Sequence, residues 1–145
     1  MVDRDTDAGG GTARPTVYPT LLYRDAQAAI RLLTEAFGFT ADAVYTAEGD
    51  VIAHAELSYG NGTVMIGSKG REGFFDQAMT NAGPTGIYVV VDDVDAHHRK
   101  AAAHGVEILM PPTDQDYGSR DYTARDAEGN VWSFGTYAPA GSATA

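Results

Sequence analysis

Two stretches of this chain carry the same marks 68 positions apart. Asp25 follows Leu22-Tyr23-Arg24, and Asp93 follows Val90-Val91-Asp92. Gly67 closes Val64-Met65-Ile66, and Gly135 closes Trp132-Ser133-Phe134. Ala28 and Ala96 agree as well. One offset serves the start and the end of each copy, so the two halves are expected to share one plan. A duplicated small module builds a pseudo-symmetric sheet, and the seam between copies is a natural place for a ligand. Two copies are too few for a solenoid, which needs at least three.

Local signals define what is repeated. Val17 to Tyr23 reads as a strand, and Asp25 stands where a helix N-cap would. Ala29, Ile30, Leu33 and Phe37 then fall on one helical face, closed by Gly38. Strands are expected at Ala41–Ala47, Val51–Tyr59 and Thr63–Ser68, the last two joined through Asn61-Gly62. The second copy repeats this order. It has a strand at Gly86–Val91, then a helix capped by Asp93 or Asp95 and closed by Gly105. Strands follow at Val106–Met110, Ser119–Arg125 and Val131–Tyr137. The expected fold class is therefore α+β: two tandem βαβββ modules forming a curved mixed sheet around a cavity. The expected organisation is a disordered tail at 1–14, a first module at 15–68, a linker loop at 69–84, a second module at 85–137 and a frayed end at 138–145.

Composition narrows the partners. With 20 acidic against 10 basic residues the net charge is −10, which argues against nucleic acid or an anionic membrane surface. There is no cysteine, which excludes disulfides, zinc-thiolate sites and cysteine nucleophiles. No run reaches the length of a membrane span, and no basic-then-apolar signal pattern opens the chain, so a cytoplasmic location is expected.

Strand alternation assigns faces. Val51, Ala53, Ala55 and Leu57 share one face, expected to pack on a helix, while Ile52, His54 and Glu56 share the other. The 68-residue offset carries His54 to Tyr122, Ile52 to Arg120 and Met65 to Ser133. The expected cavity wall is Tyr18, His54, Glu56, Met65, Tyr88, Arg120, Tyr122 and Ser133, with Phe74 and Phe75 available from the link. Aromatic groups with a few polar anchors are the usual lining of a small-molecule site. His97, His98 and His104 are read as solvated side chains of the second helix.

The duplication, the helix starts Tyr23-Arg24-Asp25-Ala26 and Val91-Asp92-Asp93-Val94-Asp95-Ala96, and the run Asp126-Ala127-Glu128-Gly129-Asn130-Val131-Trp132-Ser133-Phe134 resemble the glyoxalase, bleomycin-resistance and extradiol-dioxygenase (vicinal oxygen chelate) superfamily. Ile52-Ala53-His54-Ala55-Glu56-Leu57 and the Trp-Ser-Phe-Gly-Thr ending resemble its short glyoxalase-like branch. The resemblance places the metal ligands of metal-dependent members at Tyr18, Met65, Gly86 and Ser133. A divalent ion prefers imidazole nitrogen or carboxylate oxygen, so no metal and no cofactor is expected here. The resemblance implies a metal-free protein that binds an aromatic or planar small molecule, antibiotic sequestration being the familiar version, and a homodimer. The alternative is a metal-free acid-base enzyme, an isomerase, lyase or cyclase. His54 would move the proton, Glu56 or Tyr122 would assist, and Arg120 would hold an anion.

Overall fold

Each copy opens with an apolar strand and turns at once into a helix, and an aspartate at the junction satisfies one of the helix's free N-terminal amides. The Ala28 amide donates to Asp25 Oδ1 at 3.0 Å, and the Ala96 amide donates to Asp93 Oδ1 at the same distance. The structure is a computed structural model and describes residues 14–140. The first copy contains β1 (Thr20–Tyr23), α1 (Ala26–Arg31), β2 (Thr40–Thr46), β3 (Ile52–Tyr59) and β4 (Gly62–Ser68). The second contains β5 (Gly86–Val90), α3 (Val94–Ala103), β6 (Glu107–Asp114), β7 (Arg120–Arg125) and β8 (Val131–Gly135). The α+β, two-module plan expected from the repeat is the one observed, with a four-stranded mixed sheet in each module.

Strand order is β1-β4-β3-β2 in one sheet and β5-β8-β7-β6 in the other. β1 lies parallel to β4, with Thr20 beside Met65, and β5 lies parallel to β8, with Tyr88 beside Ser133. The remaining pairings are antiparallel. The chain divides into two compact units, one reaching to Thr80 and the other beginning at Asn81; Glu35–Phe37 belong with the second.

Several elements differ from expectation. The first helix continues past Arg31 as a π-helical turn, Leu32–Ala36, in which Leu33 and Ala36 are buried. The segment 69–84 holds a short helix, α2 (Phe74–Ala78). β6 runs on through Pro111 and Pro112; it is an edge strand, where proline removes no ladder bond that the sheet needs. The expected tail falls almost wholly outside the described residues, as does most of the expected C-terminal fray.

In the first unit the core is Leu21, Tyr23, Ala26, Ala29, Leu33, Ile52, Ala55, Leu57, Val64 and Ile66. In the second it is Phe37, Val91, Val94, Ala101, Tyr122, Ala124, Trp132 and Phe134. Phe37 packs on Phe134 with centroids 4.7 Å apart and on Trp132 at 5.7 Å.

The turn before β8 is built around one buried carboxylate. Asp126, 5 % exposed, accepts from the amides of Glu128 and Asn130, from Asn130 Nδ2 and from Trp132 Nε1, all at 3.0–3.1 Å. Asn130 Oδ1 in turn accepts from the Thr85 amide at 3.0 Å, tying the turn to the start of β5. A buried carboxylate needs such a full set of donors. Asp126→Ala would strand the Asn130 and Trp132 donors and should cost about 2–4 kcal/mol. Urea titration followed through Trp132, the single tryptophan of the chain, measures it.

Candidate functional site

Parallel pairing of first and last strands sets the open face of each sheet. In the first unit Leu21 and Tyr23 are buried against the core, so Thr20 and Leu22 point the other way, beside Met65 and Gly67 of β4. Glu56 pairs with Met65 across the β3–β4 ladder and places its side chain on the same face. His54 joins it: Nε2 lies 2.9 Å from Glu56 Oε2, both side chains being about half-exposed. Tyr45, opposite His54 on β2, stacks on its ring at 6.2 Å and 21°. Thr20, Leu22, Ala53, His54, Met65 and Gly67 line a concavity of about 130 Å³. Arg71, Phe75 and Asp76 form its far wall. An adjoining groove of about 300 Å³ shares Leu22, Arg71 and Asp76 and adds Lys69, Gln77 and Met79.

The two copies differ at the corresponding place in the second unit. Tyr88 stands where Thr20 stands, and its hydroxyl donates to the Tyr137 carbonyl at 2.8 Å. Its ring lies across Gly135, where an added Cβ would sit 2.6 Å from Tyr88 Oη and 2.8 Å from Asp121 Cβ. At Gly67 an added Cβ would press on the movable end of Leu22, at 3.3 Å, and make ordinary contact with the Ala53 and Ile52 carbonyl oxygens at 3.6 and 3.9 Å. Burial pushes the Tyr88 phenol above its ordinary pKa, against hydrogen bonds to Ser119 and Tyr137 that pull it down. Ser133 and Thr123 face each other at 3.2 Å on this surface.

The face assignment fails in two places, for related reasons. Ile52 is fully buried, not on the open face. Tyr45 pairs with His54 while Thr46 pairs with Ile52, so a bulge at Ala53 inverts the alternation. The offset also slips along β7: Glu56 pairs with Met65, but it is Thr123 that pairs with Ser133. Five residues separate Arg125 from Val131, against four between Ser58 and Thr63. His54 therefore corresponds to Asp121 and not to Tyr122.

Tyr122, expected on the cavity wall, is fully buried on the helix side, stacked on Phe134 at 5.1 Å and 24°. Arg120, expected to face the cavity, also lies toward α3, bonded to Asp95 at 2.9 Å and to Asp114 at 3.1 Å. Its guanidinium holds the Asp95 carboxyl below the usual range. Of the other expected residues, His54, Met65 and Phe75 come together, with Glu56 bonded to His54. Tyr18, 38 % exposed, and Phe74, 85 % exposed, lie outside that lining. Tyr45, Arg71 and Asp76 were not anticipated. Cross-strand pairing of two aromatic-type rings is the signal that could have found Tyr45.

His97 is half-buried rather than solvated. Its Nε2 is 2.8 Å from the Phe37 carbonyl and its Nδ1 2.6 Å from the Tyr122 hydroxyl. A carbonyl only accepts, so Nε2 carries the proton and Nδ1 accepts from Tyr122. Desolvation lowers the His97 pKa below 6.5, aided by nearby Lys100 and opposed by the Phe37 bond.

The chain belongs to the Glyoxalase/Bleomycin resistance protein/Dioxygenase superfamily, whose sequence model matches residues 16–134. An uncharacterised protein of Mycobacterium bovis is 28 % identical over 125 residues, 83 % of this chain and 82 % of that one. TioX from Micromonospora sp. ML1 superposes with a TM-score of 0.69 at 31 % identity, covering 84 % of this chain and 99 % of TioX. A maize glyoxalase I mutant shares the fold at TM-score 0.65 and 19 % identity, covering 83 % of this chain and 44 % of that one. The positions that the family resemblance assigns to a metal do not fit one. Tyr18 offers a phenol, Met65 a thioether, Ser133 a hydroxyl already facing Thr123, and Gly86 no side chain. Among the described residues no three His, Asp or Glu side chains converge on a point.

Two outcomes are expected. Gly135→Ala should displace Tyr88 and lower stability by about 1–3 kcal/mol, with Gly67→Ala milder, as read by chemical denaturation. A lowered His97 pKa means that the unfolded chain binds the extra proton first. The stability it contributes is complete above pH 6.5 and is lost as pH falls below that value through the folded pKa. Unfolding midpoints between pH 7 and 5 should fall less steeply for His97→Gln than for the wild type.

Proposed function

We propose that the protein is a metal-independent small-molecule binding protein of the glyoxalase/bleomycin-resistance type. The observation that carries this reading is the concavity on the open face of the first unit. Leu22, Met65 and Phe75 supply apolar surface, and His54, Arg71 and Asp76 supply a few polar anchors, the balance typical of small-molecule sites. A volume near 130 Å³ takes one aromatic ring, since apolar cavities of roughly 150 Å³ hold benzene. The adjoining groove can carry the remainder of a larger planar molecule. Tyr18, Phe74, Tyr88 and Ser133 supply further contacts on the exposed surfaces of their units. Sequestration of a planar antibiotic is the form of binding this reading favours, in a cytoplasmic homodimer. A net charge of −10 suits neither nucleic acid nor an anionic membrane, and no described helix is long and apolar enough to cross a membrane.

A second reading rests on a separate observation, the 2.9 Å contact of His54 with Glu56 at the edge of the same concavity. Glu56 can orient the imidazole, leaving it placed to move a proton to or from a bound ligand. That is the arrangement of a metal-free isomerase, lyase or cyclase.

Native mass spectrometry of protein purified without chelator tests the first reading. A dimer free of metal and carrying an organic mass supports it; a stoichiometric divalent ion overturns it. His54→Ala separates the two readings. A binder should lose only a few-fold in affinity, whereas an enzyme should lose turnover by roughly 10²–10⁴-fold.

A further inference from the structure

Arg120 was the arginine expected to hold an anion, and its guanidinium is committed to Asp95 and Asp114. Arg125 is likewise paired with Glu107 at 2.9 Å. Arg71 is placed differently. It lines both the concavity and the adjoining groove, and its one side-chain hydrogen bond is a long 3.5 Å contact from Nη1 to the Ala53 carbonyl. Among the described residues no carboxylate lies within ion-pair distance of its guanidinium. The nearby Asp76 is turned to another task, accepting from the Arg71 backbone amide at 3.0 Å, which fixes the loop that presents the arginine. Lys69 adds a second cation to the groove. In a chain carrying twice as many acidic as basic residues, an arginine left without an acidic partner beside an apolar floor is positioned for an external anion.

We propose that this site takes a small aromatic carboxylate. Its ring rests on Leu22, Met65 and Phe75, and its carboxylate is held by the Arg71 guanidinium. Gly67 permits the fit, because the absent Cβ leaves the sheet surface low between Leu22 and the Ala53 carbonyl. The assignment rests on the proposed binding function of this concavity and adds the charge and class of the ligand.

The test compares benzoate with its neutral near-isostere benzyl alcohol by heteronuclear NMR titration of the full chain. Benzoate should bind about tenfold more tightly, with shifts confined to β1, β4 and the Arg71–Asp76 segment, and added salt should erode the difference. Arg71→Gln should abolish the preference while changing benzyl alcohol affinity by no more than about twofold. Because Arg71 is exposed, the variant should fold, and its spectrum away from the site serves as the check. Equal affinities in the wild type, or a preference that survives Arg71→Gln, would overturn the anion assignment and leave the pocket reading intact. If neither probe perturbs these residues, both the assignment and the proposed binding function at this face are overturned.

Discussion

Each unit depends on its first strand lying parallel against its last. A parallel pair cannot be closed by a tight turn, so everything between the two strands, a helix and two antiparallel strands, becomes the crossover. The helix then has one face available to bury, and the sheet keeps a second face for other purposes. Thr20 beside Met65 and Tyr88 beside Ser133 are the direct products of this pairing. In the second unit it is reinforced from outside the ladder, since Asn130, held by the buried Asp126, also accepts from Thr85 just ahead of β5.

The side chains packed over the last strand's glycine, Leu22 at Gly67 but Tyr88 and Asp121 at Gly135, separate the open faces of the two units. A threonine at position 20 leaves the floor over Gly67 accessible from above. A tyrosine at position 88 crosses Gly135 and anchors on the Tyr137 carbonyl. Two copies of one plan thus serve different ends: one presents a lined concavity, and the other covers the same place with its own side chain. The polar groups follow this division. His54, bonded to Glu56, and Arg71 border the concavity, whereas Asp121 of the second copy is buried and accepts from Gln115 at 2.9 Å.

The architecture was legible because its signals are local and repeated. The aspartate caps at 25 and 93 and the glycines after each helix each carry a backbone requirement that few other residues meet, whereas the β3–β4 turn falls at Gly60-Asn61, one residue before the expected Asn61-Gly62, with Gly60 taking the positive φ. His54, Met65 and Phe75 lie along one concavity, with Glu56 beside His54 on the same strand. What alternation could not reveal was any change in its own phase. A bulge at Ala53 turned Ile52 inward, and a longer turn shifted β7 by one residue, which sent Tyr122 into the core and Arg120 toward α3. The role of Arg71 was hidden for a different reason. It sits in a linking segment without periodicity, and its interest comes from a guanidinium with no ion-paired carboxylate among the described residues, which is a property of three-dimensional placement.

The extra residue in the turn between Arg125 and Val131 also sets how the copies can exchange chemistry. Substituting histidine and glutamate at 122 and 124, the positions that numbering suggests, would place ionisable groups beneath α3 in a fully buried layer. The structurally equivalent positions are 121 and 123, beside Gly135 and Ser133. Removing a turn residue to restore the original phase would disturb the cradle around Asp126, on which Trp132 and Thr85 both depend. Bringing the two halves into one register would therefore require rebuilding this turn, not only exchanging side chains on the strands.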